Sequence, residues 1–286
     1  MSFSSDLKTE LSKINNLKNK DEVFAEFLGY LVTNNITQKG KLLKFSTENE
    51  YNINRFAKLL WNLQIQDYKI EIVGKTYNIT VKENVENIVR EKLEEYGACK
   101  IGEFLNTENL KKAFVRGNFL GAGSINNPQN KYHLEIIFSK EEFAVTTLEM
   151  LKDFEINAKL LNSTIYFKDG EEISNFLALI GANSAVLKFE QIRVMREMKN
   201  NVNRLVNCET ANLNKTINAS VKQIETIKKL KKTGKFNNLP EELKEIANLR
   251  EQNPNATSEE LGNMLQKPIS KSSVSHRFKK IEEYLQ

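Results

Sequence analysis

The strongest constraint on this 286-residue chain is an order of elements that occurs twice. Residues 21–33 place Val23, Phe24, Phe27, Leu28, Leu31 and Val32 at helical spacing around Gly29. The period then falls to two. A hairpin is predicted over 36–47 with a turn at Lys39-Gly40, a helix over 52–63, a second hairpin from 68–73 to 76–81 around Gly74-Lys75, and a charged helix over 85–96 stopped by Gly97. The same order resumes with a helix over 110–120, a hairpin turning at Asn126-Asn127-Pro128, a helix over 141–154, strands near 159–162 and 164–168, and a helix over 171–180. Sequence echoes support a duplication: Gly29 with Gly117, Phe45-Ser46-x-Glu48 with Phe138-Ser139-x-Glu141, and Gly97-Ala98 with Gly181-Ala182. Two copies that each open on a glycine-containing helix can pack those helices together on a pseudo-two-fold axis, with four strands per copy forming a sheet. A further short helix over 4–14 precedes the first copy.

Composition limits the chemistry available to such a body. Cys99 and Cys208 are far apart and lack CxxC spacing, so two buried thiols are expected rather than a disulfide or zinc site. His133 and His276 are the two histidines, too few for a His-rich metal site, so hydrolytic chemistry would need carboxylates. There is no apolar run long enough to span a membrane, and Met1-Ser2-Phe3-Ser4 enters an amphipathic stretch without a basic leader; a cytoplasmic, nucleoid-associated location and no membrane partner are expected. Residues 1–199 carry 27 basic and 27 acidic side chains, whereas residues 200–286 carry 15 and 10. The excess positive charge is C-terminal, which suits a polyanion partner there or a solvated helix face.

Residues 188–232 contain no Gly or Pro and read as one long helix or two. At 3.6 residues per turn Val202, Val206, Leu213, Ile217, Ile224 and Ile227 share one broad face. Asn200, Asn203, Asn207, Asn214 and Asn218 share a strip beside Arg204, Lys215, Lys222 and Lys229. Such amide and cationic donors suit phosphate contacts. They equally suit bridges to the repeat body. Residues 228–235, with Gly234, read as a mobile basic linker.

The last fifty or so residues form a helix-turn-helix pattern. Leu239-Pro240-Glu241-Glu242 opens a first helix with Leu243, Ile246, Ala247 and Leu249 inward; Thr257 to Glu260 is a capping box opening a second over 259–265; Ser270 caps a third with Val274, Phe278, Ile281 and Leu285 inward. The third helix would present Lys271, Ser272, Ser273, Ser275, His276 and Lys279 outward, with Arg277 and Lys280 near its flanks. Donors of this kind on a recognition helix suit base edges and phosphates of double-stranded DNA.

Two resemblances follow from these residues. Leu28-Gly29-Tyr30-Leu31-Val32-Thr33-Asn34-Asn35 and Arg116-Gly117-Asn118-Phe119-Leu120-Gly121-Ala122-Gly123 resemble the paired helices of LAGLIDADG homing endonucleases. The whole chain is similar to the WhiA family. This likeness runs from Met1-Ser2-Phe3 through residues 114–125, the block Asn200-Asn201-x-Asn203-Arg204-x-x-Asn207-Cys208-Glu209-x-Ala211-Asn212, and Ser270-Lys271-Ser272 to Arg277. It implies an α+β fold: a duplicated LAGLIDADG-like domain, its repeats at 1–105 and 106–199, a basic Asn-rich helix and linker at 200–236, and an all-α helix-turn-helix domain at 237–286. It also implies a bacterial transcription regulator acting in cell division, chromosome segregation and, where present, sporulation. Cleavage by the LAGLIDADG fold needs an acid at the end of each paired helix to hold hard cations. Those positions are Asn34 and Ala122 here, so no catalytic residue, metal or cofactor is expected. The DNA contacts are assigned to the outward residues of the third helix together with Asn203, Arg204, Asn207, Lys215 and Lys222, and the repeat body is left for a protein partner or a structural role. The alternatives are a nuclease using the displaced acids Asp21 and Glu26, or a nucleoid protein of low sequence preference.

Overall fold

The computed structural model describes residues 2–285, which divide into two compact units between Glu197 and Met198. In the first unit α1 (Phe3–Ser12) precedes two copies of one plan. The first copy runs α2 (Lys20–Leu31), β1 (Ile36–Lys39), β2 (Leu42–Thr47), α3 (Glu50–Asn62), β3 (Tyr68–Val73), β4 (Thr76–Val81) and α4 (Val85–Glu95). After the short α5 (Ile101–Phe104), the second runs α6 (Glu108–Ala122), β5 (Gly123–Ile125), β6 (Leu134–Ile137), α7 (Glu141–Asp153), β7 (Lys159–Leu161), β8 (Thr164–Phe167) and α8 (Gly170–Leu179). Each copy closes its own antiparallel four-stranded sheet, in the orders β1-β2-β4-β3 and β5-β6-β8-β7. The link from β5 to β6 takes all of residues 126–133, longer than the tight turn expected at Asn126-Asn127-Pro128, because β5 ends at Ile125 and Asn126 N donates to His133 O at 2.9 Å across a wide loop.

Local chemistry sets the helix ends. The side chains of Asn19, Asn49, Thr107 and Asp169 accept bonds from first-turn amides of α2, α3, α6 and α8. The Gly-Ala echo is a shared helix stop. Gly97 and Gly181 sit at φ of 69° and 86°, and the amides of Ala98 and Ala182 each donate at 2.9 Å, to Leu93 O and Leu177 O, the six-to-one bond of a left-handed glycine cap.

The two copies meet through α2 and α6, and glycine decides how closely. A Cβ on Gly29 would stand 2.2 Å from Phe114 O, and one on Gly117 would stand 2.1 Å from Glu26 O. Further along the seam, Gly121 leaves room for the Thr33 side chain. The end of α2 also joins the other copy's sheet: Thr33 bridges to Phe138, and Ser139 N donates to Val32 O at 2.9 Å. One continuous core therefore holds both copies.

The helix α9 (Asn183–Lys232) starts in the first unit and ends in the second. Glu10 caps its start, accepting from Ser184 N at 2.7 Å and Ala185 N at 3.0 Å, and Phe189 packs between Phe3 and Tyr132. The rest of the second unit is a 3-10 turn (Lys235–Asn238), α10 (Glu241–Gln252), α11 (Ser258–Met264) and α12 (Lys271–Glu283). Two expectations are corrected. Residues 228–235 are not a mobile linker, because α9 runs to Lys232 and buries Ile227 and Leu230 in the same core as Leu243, Ile246, Val274 and Ile281. Of the broad face shared by Val202, Val206, Leu213, Ile217, Ile224 and Ile227, only the C-terminal end is covered, and Val202, Val206, Leu213 and Ile217 are exposed. Cys99 and Cys208 are exposed thiols rather than buried ones, since each lies on a solvent-facing turn of its segment. Among the described residues no helix is long and apolar enough to cross a membrane.

Candidate nucleic-acid interface

Helix α12 is held from three sides, which fixes the face it shows. Val274, Phe278 and Ile281 are buried against α10 and α11. Gly262 of α11 admits the turn leading to α12, since a Cβ there would lie 2.4 Å from Ile269 O. Thr257 and Glu260 form the reciprocal capping box at the start of α11. Arg250, fully buried, gathers the loop between α10 and α11: its guanidinium donates to Ala256 O at 2.6 Å and to Gln223 Oε1 of α9 at 2.9 Å, and stacks over Phe278 at 5.7 Å. Ser220 of α9 donates to Pro254 O in the same loop. The candidate set drawn from the sequence contains neither Arg250 nor Gly262. Gly262 carried a signal, a glycine inside a short helix where a backbone approaches; Arg250 carried none, because its partners are carbonyls of a loop.

With its inner face so held, α12 presents two adjacent rows, Lys271-Ser275-Lys279 and Ser272-His276-Lys280, all exposed. Among the described residues none of Lys271, His276, Lys279 and Lys280 has an acidic partner. The serines are engaged locally. Ser270 Oγ caps the helix at Ser273 N and lies 2.8 Å from Ser272 Oγ and 3.0 Å from Ser273 Oγ, while Ser275 Oγ donates to Lys271 O at 3.1 Å. Arg277 is half-buried and turned inward, donating at 3.2 Å to the Glu242 carboxylate of α10. It anchors the helix.

On α9, Asn203, Arg204, Asn207 and Lys215 are exposed. Lys222 differs. Its ammonium lies 2.6 Å from Glu282 Oε1 of α12, so a phosphate would have to displace that carboxylate. The pairing places Lys222 beside Ser275 and Lys279 along one small groove of the second unit.

The far end of the α2–α6 seam is the place where the paired-helix fold would hold cations. Asn34 is exposed there and its backbone N–H donates to Ile137 O at 3.2 Å, Ala122 ends α6, and Asn35 Nδ2 donates to Gly121 O at 2.9 Å. Both displaced acids are engaged elsewhere. Asp21 lies thirteen residues before Asn34, about 20 Å along a helix. Its carboxylate accepts from the Tyr96 hydroxyl at 2.7 Å; burial and this bond push the phenol up to about 12. Glu26 is fully buried between two arginines: Arg55 Nε and Nη2 reach its oxygens at 2.7 and 2.9 Å, and Arg116 Nε at 2.9 Å. Burial raises its pKa, but the Arg55 hydrogen bond and the Arg116 charge outweigh that and hold the carboxyl below the usual range. Arg55 also donates to Ile14 O and Asn16 Oδ1, tying the segment after α1 to the seam. Among the described residues no group of three or more His, Cys, Asp or Glu side chains is arranged to hold a metal ion.

Comparison with known proteins gives one answer at three levels. The family described as "WhiA C-terminal HTH domain" matches residues 202–285, and "WhiA LAGLIDADG-like domain" matches residues 111–199. The first match begins inside α9, as does the second compact unit. A "Probable cell division protein WhiA" of Clostridium tetani is 38% identical over 309 residues, covering 99% of this chain and 96% of the relative. The protein of the same name in Staphylococcus carnosus is 38% identical over 304 residues, with 99% and 96% covered. The crystal structure of full-length DUF199/WhiA from Thermatoga maritima superposes with a TM-score of 0.61 at 28% identity, covering 100% of this chain and 98% of that one.

Proposed function

The chain belongs to the WhiA family, and on that premise we propose that it is a sequence-specific DNA-binding regulator serving cell division and chromosome segregation, and sporulation where the organism sporulates, with no nuclease activity. The observation that carries this is the outward face of α12, where Lys271, His276, Lys279 and Lys280 have no acidic partner among the described residues, on a helix whose inner face is held by Arg250, Gly262 and Arg277. In this reading α12 enters the major groove of double-stranded DNA, Lys271 and His276 contact base edges, and Lys279, Lys280 and the donors Asn203, Arg204, Asn207 and Lys215 grip phosphate. Ser272, Ser273 and Ser275 join the contacts by exchanging their local bonds for DNA. Arg277 and Lys222 act first as props of the helix and contact phosphate only if their carboxylates are displaced. The protein works in the nucleoid.

Loss of cleavage is supported by Asn34 and Ala122 standing where acids are needed, and by the occupation of Asp21 and Glu26 elsewhere. The repeat body is then a scaffold or a surface for a protein partner. Binding measured against a specific operator and random duplex, across a salt series, is the test. A large specific to non-specific ratio is expected, with Lys271→Ala and His276→Ala narrowing it. Equal affinity for both duplexes would leave only a low-specificity nucleoid role. Protein-dependent cutting of supercoiled DNA in magnesium or manganese would overturn the non-enzymatic reading.

A further inference from the structure

Among the described residues, ten of the 21 exposed large apolar side chains lie on α9. Within the second unit they form one stripe: Met198, Val202, Val206, Leu213, Ile217 and Val221 are 45–65% exposed, with Leu205 alongside at 60%. A helix with such a stripe gains by burying it, and exposed patches of this size mark association surfaces. The stripe continues into the buried Ile227 and Leu230, so the same helix face is a core face at one end and bare at the other.

We propose that this face, residues 198–221, pairs with the same face of a second copy of the chain, antiparallel about a two-fold axis. The spacing is the first reason. From Met198 to Val221 the apolar residues are separated by four, four, seven, four and four positions, which reads the same from either end. An antiparallel second copy therefore sets Met198 level with Val221, Val202 with Ile217, and Val206 with Leu213, each layer apolar from both sides. Such a surface is self-complementary, as an isologous contact requires. Charge is the second reason. Identical surfaces repel when their rims carry one sign, but the central positions beside this stripe are Asn201, Asn203, Thr210, Asn212 and Asn214, all uncharged; the one rim cation, Lys199, stands at the end of the stripe, level with Ser220 of an antiparallel copy, and Arg204, Lys215 and Lys222 lie on the reverse side of the helix. Size is the third. Seven side chains exposing on the order of 100 Å² each, with the amides beside them, approach the roughly 800 Å² per partner of a standard specific interface. The stripe is about 36 Å long at 1.5 Å per residue.

The charged residue at the centre of the stripe is Glu209, next to Thr210. In the pair the two Glu209 carboxylates lie close together. They limit affinity and make the association reversible.

This proposal does not rest on DNA binding, and its test needs no DNA. The mass of the full-length chain is measured by light scattering and sedimentation from sub-micromolar to high micromolar concentration. A concentration-dependent dimer is expected. Val206→Glu with Leu213→Glu is expected to weaken it at least ~100-fold, since unpaired charges would be buried, and because both positions are solvent-exposed the monomer keeps its circular dichroism and melting profile. Glu209→Leu is expected to tighten the dimer ~10-fold or more by removing the central charge. A wild-type chain that stays monomeric throughout, or a dimer indifferent to all three substitutions, overturns the proposal.

Discussion

Glu26 is the ionic tie between the two copies of the repeat body. Its carboxylate is enclosed by Arg55 and Arg116, one from α3 of its own copy and one from α6 of the other, so the ion group joins both halves of the repeat body. Removing the acid would leave two buried guanidinium groups without a counter-charge, and Glu26→Gln is expected to destabilise the first unit by about 3–5 kcal/mol in urea unfolding. The folded pKa is depressed, so this contribution is complete above the unfolded glutamate value of about 4.3 and is lost as pH falls through the folded value. Wild type should therefore lose stability on the acid side of that value, and Glu26→Gln should flatten the slope. On α12, Lys271→Ala is expected to cost ~1–3 kcal/mol against the preferred duplex and little against random DNA. Lys222→Ala should instead weaken binding to all sequences, and by less than a free cation would, because Glu282 already neutralises it. Uniform losses in both variants would contradict the assigned roles.

At the scale of elements, glycine and caps do most of the positioning. Gly117→Ala would drive a methyl into Glu26 O, whose neighbour is another helix backbone rather than a movable side chain. A loss of at least ~2–3 kcal/mol is expected in the first unit. Gly262→Ala meets Ile269 O in the same way and is expected to melt or loosen the helix-turn-helix while the first unit keeps its transition. Calorimetry that showed one undivided shift for Gly262→Ala would mean the two cores are coupled. These elements were also the most legible. Alternating apolar residues, Gly-Lys turns and Ser, Thr, Asn and Asp caps are local signals, which is why the duplicated plan and the three C-terminal helices appear close to their predicted positions. The end of the basic segment was not legible. Leu230 looks like the apolar remainder of a charged tether until α10 and α12 fold over it.

For the whole molecule, two separate cores and an uneven charge suggest a division of labour. The fragment ending at Glu197 is expected to bind DNA at least ~100-fold more weakly than the fragment starting at Met198, and the affinity of the full chain should fall steeply with salt. Equal affinities would assign the repeat body a DNA-gripping role instead. The amino-acid sequence by itself determined the duplication, the absence of acids at Asn34 and Ala122, and the donor-rich row of the last helix, because each depends on residue type and on spacing along one segment. Only the tertiary structure decided that Glu26 is locked by arginines, that Arg277 and Lys222 are already paired, that Arg250 holds the reading helix, and that the apolar face of α9 lies bare. Those properties are set by residues distant in sequence, up to 90 positions apart for Glu26 and Arg116. Burial and ion pairing are properties of neighbours in space, and local pattern carries no record of which neighbours the fold will bring.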